Sequence, residues 1–272
     1  MANTRLSIRS VTKAHMHVVS NEPTMKGRTA IVTGSGRNIG RAIALSLARQ
    51  GAQVVVNGHS DRAAVDGVVK EIQEAGGQAM GIMADVSVDE QVQQLVQRTL
   101  DAFGSTDIVI SNVAIRRKQH FLDITPQDWQ DVLQTNLTPA FYLARHAIPQ
   151  MLEKKWGRLV LISGFDGFWG QVPERAHNLA AKSGLHGLTM ALAREFGAHG
   201  ITANTVAPGA IDTVRDWTQY THQDRQKIEA EIPLGRYGKP DEVAAACDLL
   251  CSERGAFISG QVVHVNGGHY MY

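Results

Sequence analysis

Only two of the 272 residues are cysteine, and Cys247 and Cys251 stand four apart in a stretch that reads as helix. That spacing puts both thiols on one helix face without ligand-rich neighbours, so buried reduced thiols are expected rather than a zinc site or a redox pair. No apolar run approaches the ~20 residues that cross a bilayer, and no signal-peptide core precedes the first motif; a cytoplasmic protein without a membrane partner is expected. Neither charge is in excess, since 27 Lys and Arg face 26 Asp and Glu. No overall field therefore draws in nucleic acid, and any charged partner must be recognised locally.

What is present suits one large domain. A chain of this length that is 43% hydrophobic and 19% charged can bury a single α/β core. Residues 1–24 differ from the rest, with Arg5, Arg9 and Lys13 against the single acid Glu22. They are expected to form a flexible N-terminal extension, and Met25-Lys26-Gly27-Arg28 would serve equally well as a beginning.

From Thr29 onward, short β-branched runs alternate with longer segments of helical period, the signature of βαβ units around a parallel sheet. Strands are predicted at Ala30–Val32, Val54–Asn57, Ala79–Met83, Ile108–Ser111, Arg158–Ile162, Thr202–Ala207 and Val262–Val265. Helices are predicted at Ile39–Gln50, Arg62–Glu74, Val88–Phe103, Pro126–Leu152, Arg175–Ala198 and Pro240–Leu250. The expected fold is a single Rossmann-type doubly wound domain over residues 25–272, with a seven-stranded parallel sheet and helices on both faces. Residues 212–231 are polar and weakly periodic, and are expected to form a lid over a cleft.

In such sheets ligands bind beyond the carboxyl ends of the strands, so the residues just after each strand are the informative ones. After the first strand comes Thr33-Gly34-Ser35-Gly36-Arg37-Asn38-Ile39-Gly40. A glycine-rich turn that opens a helix lets backbone N–H groups approach a pyrophosphate. Ordered matches follow: Ala84-Asp85-Val86, Asn112-Val113-Ala114, Asn136, Lys182, Asn204-Thr205-Val206-Ala207-Pro208-Gly209 with Thr213, and Gly260-Gln261 leading to Asn266-Gly267-Gly268. Together they resemble the short-chain dehydrogenase/reductase family, in particular its 3-oxoacyl-carrier-protein reductases, over roughly Lys26 to Tyr272.

The resemblance implies a nicotinamide dinucleotide held by Gly34, Ser35, Arg37, Asn38, Ile39 and Gly40, with Asp85 and Val86 at the adenine. It places Asn112, Ala114 and Lys182 beside the ribose and nicotinamide, and Pro208, Gly209, Ile211 and Thr213 against the nicotinamide. Asn38 stands where the family has its second fingerprint glycine; Asn tolerates unusual φ better than most residues. An acid at the end of the second strand would favour NAD, whereas this chain offers Asn57-Gly58-His59-Ser60 and no acid before Asp61. NADP is therefore the expected cofactor, with NAD the alternative, and Arg37, Asn57, His59 and Ser60, with Arg62 as a further candidate, surround its phosphate.

The catalytic pattern departs from the family. Its tyrosine, four residues before the lysine, donates the proton that a reduced carbonyl needs, and a serine polarises the carbonyl. Here the residue four before Lys182 is Asn178, whose amide gives up no proton near neutral pH. The functional serine position aligns with Gly164, and Ser163 lies one residue early. The candidates for the catalytic set are Asn136, Lys182, Asn178, His177, Ser163 and Asp166: a one-residue register shift would put His177 in the tyrosine's place, and an aromatic setting would raise the pKa of Asp166.

Phe165, Phe168, Trp169, Trp217 and Tyr220 are expected cleft walls for an aromatic substrate, while Arg116-Arg117-Lys118 suits an anionic one. A homotetramer, joined through the long helices and the last strand, is implied by the resemblance. Three functions follow: an oxidoreductase acting on a carbonyl/alcohol pair with a non-standard proton donor, a non-redox lyase, hydrolase or isomerase, and an inactive cofactor-binding homologue.

Overall fold

The computed structural model describes residues 24–168, 173–214 and 222–271. Seven strands form one parallel sheet: β1 (Thr29–Val32), β2 (Gln53–Gly58), β3 (Gln78–Met83), β4 (Ile108–Ser111), β5 (Gly157–Ile162), β6 (Ile201–Pro208) and β7 (Val262–Val265). Their order is β3-β2-β1-β4-β5-β6-β7, so the order reverses between β1 and β4. The doubly wound reading of the sequence holds.

The strands are apolar on both faces because helices cover both. Along β1 and β2, Ala30, Val32, Val54 and Val56 face one layer, against α1 (Asn38–Arg49), α2 (Arg62–Glu74) and α8 (Pro240–Cys251). The alternate residues Ile31 and Val55 face the other layer, against α3 (Asp89–Phe103) and α5 (Thr138–Lys154). Leu192 of α6 (Ala176–Phe196) belongs to that second core. Ile43 and Leu47 of α1 and Leu143 of α5 are fully buried, each contributing about 1.5–3 kcal/mol of hydrophobic stabilisation. Cys247 and Cys251 are buried free thiols of α8, and burial pushes both thiols up.

Two elements differ from the sequence expectation. The single helix expected over Pro126–Leu152 is two, α4 (Pro126–Asn136) and α5, broken at Leu137 with φ −118° and ψ −51°. Pro139 has no N–H for the Thr135 carbonyl, and the Asn136 side chain is drawn out to the backbone of Ile115, its Oδ1 accepting from the Ile115 N–H at 2.8 Å. The weakly periodic stretch read as a lid contains a helix, α7 (His222–Glu231). Among the described residues no helix is long and apolar enough to cross a membrane, and no cluster of His, Cys, Asp and Glu could hold a metal.

Candidate active site

The turn after β1 is tied at both ends. The Thr33 hydroxyl donates to the Ile110 carbonyl at 3.2 Å and accepts from the Asn112 N–H at 2.9 Å. The Asn112 amide donates to the carbonyls of Thr33 and Gly34. Ser35, fully buried, accepts from the Asn57 N–H and donates to the Val32 carbonyl at 2.6 Å. Gly34 has φ +59°, and a Cβ on Gly40 would collide with the Gly34 carbonyl oxygen. Only glycine fits there, and the result is a bare backbone cradle at the N-terminus of α1. This cradle fits a pyrophosphate. Asn38 holds φ +52° at its rim.

A cavity of about 800 Å³ opens beyond the carboxyl ends of β1, β4, β5 and β6. From the first turn it is lined by Gly34, Arg37, Asn38, Ile39 and Gly40, and from the segment after β4 by Asn112 and Ala114. Pro208, Gly209, Ile211 and Thr213 line it after β6, and Lys182 comes from α6. Residues more than 170 positions apart in the chain thus meet where the sheet order reverses.

Other expected cofactor residues stand off this wall. Asn57 is buried, and its side-chain amide donates to the carbonyls of Gly58, Ile82 and Ala84 while its oxygen receives the Gly34 N–H at 3.4 Å. It braces the ends of β2 and β3 against the turn. His59 and Ser60 are exposed, and the His59 ring approaches Asp85 at 3.8 Å. Burial raises the Asp85 carboxyl, but hydrogen bonds from Ser87 outweigh it and leave the group lowered. Val86 is buried in the second core. Asp61 is the N-cap of α2, its carboxylate accepting from the Ala64 N–H at 3.0 Å.

The catalytic candidates do not gather into one cluster. Asn136, Asn178 and the chain after β4 form one network: the Asn136 amide donates to Asn178 at 3.0 Å, and the Asn178 amide donates to the Arg117 carbonyl at 2.9 Å. Lys182, one turn along α6, donates to the Ile162 carbonyl at 2.8 Å. His177 is fully buried and does not line the cavity. Its Nδ1 accepts the Asn178 N–H at 3.0 Å, and burial, aided by Arg117, lowers its pKa. The side chain of Asp166 lies outside the described structure, as do Trp169, Trp217 and Tyr220.

Ser163 lines the cavity, and its Oγ lies 2.9 Å from Nε2 of His186. Burial, with His264 and Lys182 adding to it, lowers His186 to about 4, so its imidazole is neutral at neutral pH. His186 was not singled out in the sequence. The available signal was its spacing, four residues after Lys182 on the same helix face. Its ring stacks on Phe168 with centroids 4.2 Å apart, and Phe165 packs against His269 at 5.1 Å. Neither phenylalanine lines the cavity. At Gly164 an added Cβ would meet nothing nearer than the Pro208 carbonyl, 4.0 Å away.

Residues 34–270 match the family model adh_short_C2, described as enoyl-(acyl carrier protein) reductase. The chain belongs to the short-chain dehydrogenase/reductase family. It is an NAD(P)-dependent oxidoreductase of that type. Among similar members of the family, the 3-oxoacyl-[acyl-carrier-protein] reductase FabG of Staphylococcus aureus strain Mu50 is 37% identical over 245 residues, covering 90% of this chain and 98% of that one. FabG of Aquifex aeolicus is 38% identical over 251 residues, covering 92% and 100%, and the corresponding reductase of Synechocystis is 39% identical over 249, covering 91% and 99%. A crystal structure described as a candidate gluconate dehydrogenase of Agrobacterium tumefaciens superposes with a TM-score of 0.85 at 33% identity, covering 91% of this chain and 97% of that one.

Proposed function

We propose that the protein is an NADP(H)-dependent oxidoreductase that interconverts an alcohol and a carbonyl on a small molecule, with a proton group other than tyrosine. The observation that carries this reading is the single cavity wall shared by the Gly34–Gly40 cradle, Lys182 and Ser163. When bound there, the nicotinamide coenzyme supplies or accepts the hydride. The cradle would hold its pyrophosphate, and Lys182 would serve its ribose end.

Preference for the phosphorylated coenzyme is supported by charge. Arg37 is the N-cap residue of α1 and lines the cavity. The nearest acid after β2, Asp61, is committed to capping α2. A phosphate gains from cations and suffers from an unpaired carboxylate, so this arrangement favours NADP(H) over NAD(H).

The proton passes through Ser163 and His186. In alcohol oxidation, the substrate hydroxyl proton moves to Ser163 Oγ as the Ser163 proton moves to neutral His186 Nε2, leaving an imidazolium that solvent then discharges. In carbonyl reduction the same protons run backward. Asn178 has no such proton to move and serves the Asn136 network. The exposed apolar side chains Phe141 on α5 and Met190 on α6 support a homotetramer joined through those helices.

Calorimetric titration with NADPH and NADH, followed by an alcohol and ketone panel read at the coenzyme absorbance, tests the proposal. Tighter NADPH binding and coenzyme-linked turnover are expected. Tight coenzyme binding with no turnover across the panel would instead mark an inactive homologue, and turnover without any absorbance change would mark non-redox chemistry.

A further inference from the structure

Among the described residues, the charged side chains that line the cavity are of one sign. Arg37, Arg116, Lys118, Arg175 and Lys182 line it, and among the described residues that line it none is Asp or Glu, although the whole chain carries a formal net charge of only +1. A cavity with low-dielectric walls and one sign of charge concentrates ligands of the other sign.

These cations occupy two ends. Arg37 stands at the glycine cradle, where coenzyme phosphates would lie. Arg116, Lys118 and Arg175 stand at the other end, next to Asn178 and Lys182. The segment after β4 and the entry to α6 are zipped together there: the Gln119 N–H donates to the Glu174 carbonyl at 2.7 Å, Lys118 pairs with Glu174 at 3.0 Å, and Asn178 donates to the Arg117 carbonyl. Glu174 holds φ +61° within this zipper, a costly conformation for a residue with a Cβ, and it sets the position of Arg175 immediately after it.

Alternation along the extended segment sorts its three basic residues. Arg117 turns away to α4, where its guanidinium meets Asp128 at 2.8 Å and Asp131 at 3.1 Å. Arg116 and Lys118, on either side of it, line the cavity. The basic run is thus not a uniform solvated loop: one residue is a structural clamp on α4, and its neighbours belong to the cavity. That clamp fixes the segment in the register that presents the other two.

We propose that Arg116, Arg175 and Lys118 form a subsite for an oxyanion, a carboxylate or a phosphate, carried by the same small molecule as the reacting alcohol or carbonyl. Arg116 and Arg175 supply forked donors suited to two oxygens, and Lys118, already paired with Glu174, supplies a point charge at the rim. The subsite orients the reacting carbon toward Lys182 and Ser163. This deepens the function proposed above and rests on it, because the subsite is the substrate end of that same cavity.

The test uses the full chain saturated with NADP+ and two matched pairs of probes: D-gluconate against sorbitol for the carboxylate, and glycerol 3-phosphate against glycerol for the phosphate. Calorimetry is expected to show at least one acidic probe bound more tightly than its uncharged match, and Arg116→Gln and Arg175→Gln each to weaken it by about 10- to 100-fold, the effect of losing a charge-assisted hydrogen bond. NADPH affinity, titrated separately, is expected to stay unchanged in both variants, and thermal unfolding to show both folded. The pair that responds identifies the oxyanion. No preference for either acidic probe, or a preference that survives in both variants, overturns the subsite. So does an equal loss of NADPH affinity, which would assign these cations to the coenzyme. Absence of coenzyme binding by the unsubstituted protein is a different result and would sink the oxidoreductase reading itself.

Discussion

The side chain of Asn38 clasps the backbone of Val214: its Oδ1 receives the Val214 N–H at 2.8 Å, and its Nδ2 donates to the Val214 carbonyl at 3.0 Å. Both residues line the cavity. The residue that replaces a family glycine in the fingerprint turn therefore ties that turn to the start of the stretch read as a lid. In Asn38→Gly the backbone strain at φ +52° is relieved while two exposed hydrogen bonds are lost, for a net loss of about 1 kcal/mol or less. The Val214 amide is expected to exchange its hydrogen at least about tenfold faster, following the loss of its partner. Unchanged exchange at Val214 would show that the clasp is not formed in solution.

The Asn178 position is internally satisfied, which makes it a stability element as well as a missing acid. Asn178→Ala leaves the Asn136 amide and the Arg117 carbonyl without their partner, and about 2–4 kcal/mol of destabilisation is expected in urea unfolding. Gly164→Ser enters open space and is expected to change stability by less than about 0.5 kcal/mol. The pair Gly164→Ser with Asn178→Tyr should alter turnover that the native chain already has. Turnover seen only in that double variant would identify the native chain as an inactive homologue.

His186 gives a pH dependence of definite sign. Its pKa is lowered by burial to about 4 in the folded chain, against an ordinary ~6.5 when unfolded. Between these values the unfolded state binds more protons, so stability falls as pH drops from about 6.5 toward 4. Above that window the group is neutral in both states and contributes no slope. His264 and Lys182 face the same ring and oppose its protonation. His186→Gln should flatten the urea midpoint between about pH 6.5 and 4.5 and abolish the pH-dependent limb of alcohol oxidation. An unchanged rate profile would remove His186 from the proton path.

Much of this was legible in the residues. The strand runs, the glycine cradle and the ordered residues after each strand are local or periodic signals, and the seven-stranded parallel sheet they imply is the one observed. The break at Leu137 was not legible, because it depends on where the Asn136 side chain finds a partner in the Ile115 backbone. The separation of Arg117 from Arg116 and Lys118 was hidden for the same reason: three consecutive cations look alike until the acids of α4 are in place.

Chain chemistry alone determined the seven strands, the bare turn that glycine makes possible, and the loss of a protonatable group at Asn178. Tertiary structure decided which polar groups face each other. It buried His177 behind the wall, brought His186 to Ser163 across the edge of the sheet, and locked Asn57 into bracing β2 against β3. The physical reason is reach: backbone preference and hydrophobic period act within a few residues, whereas a buried donor must find its acceptor wherever the fold sets one.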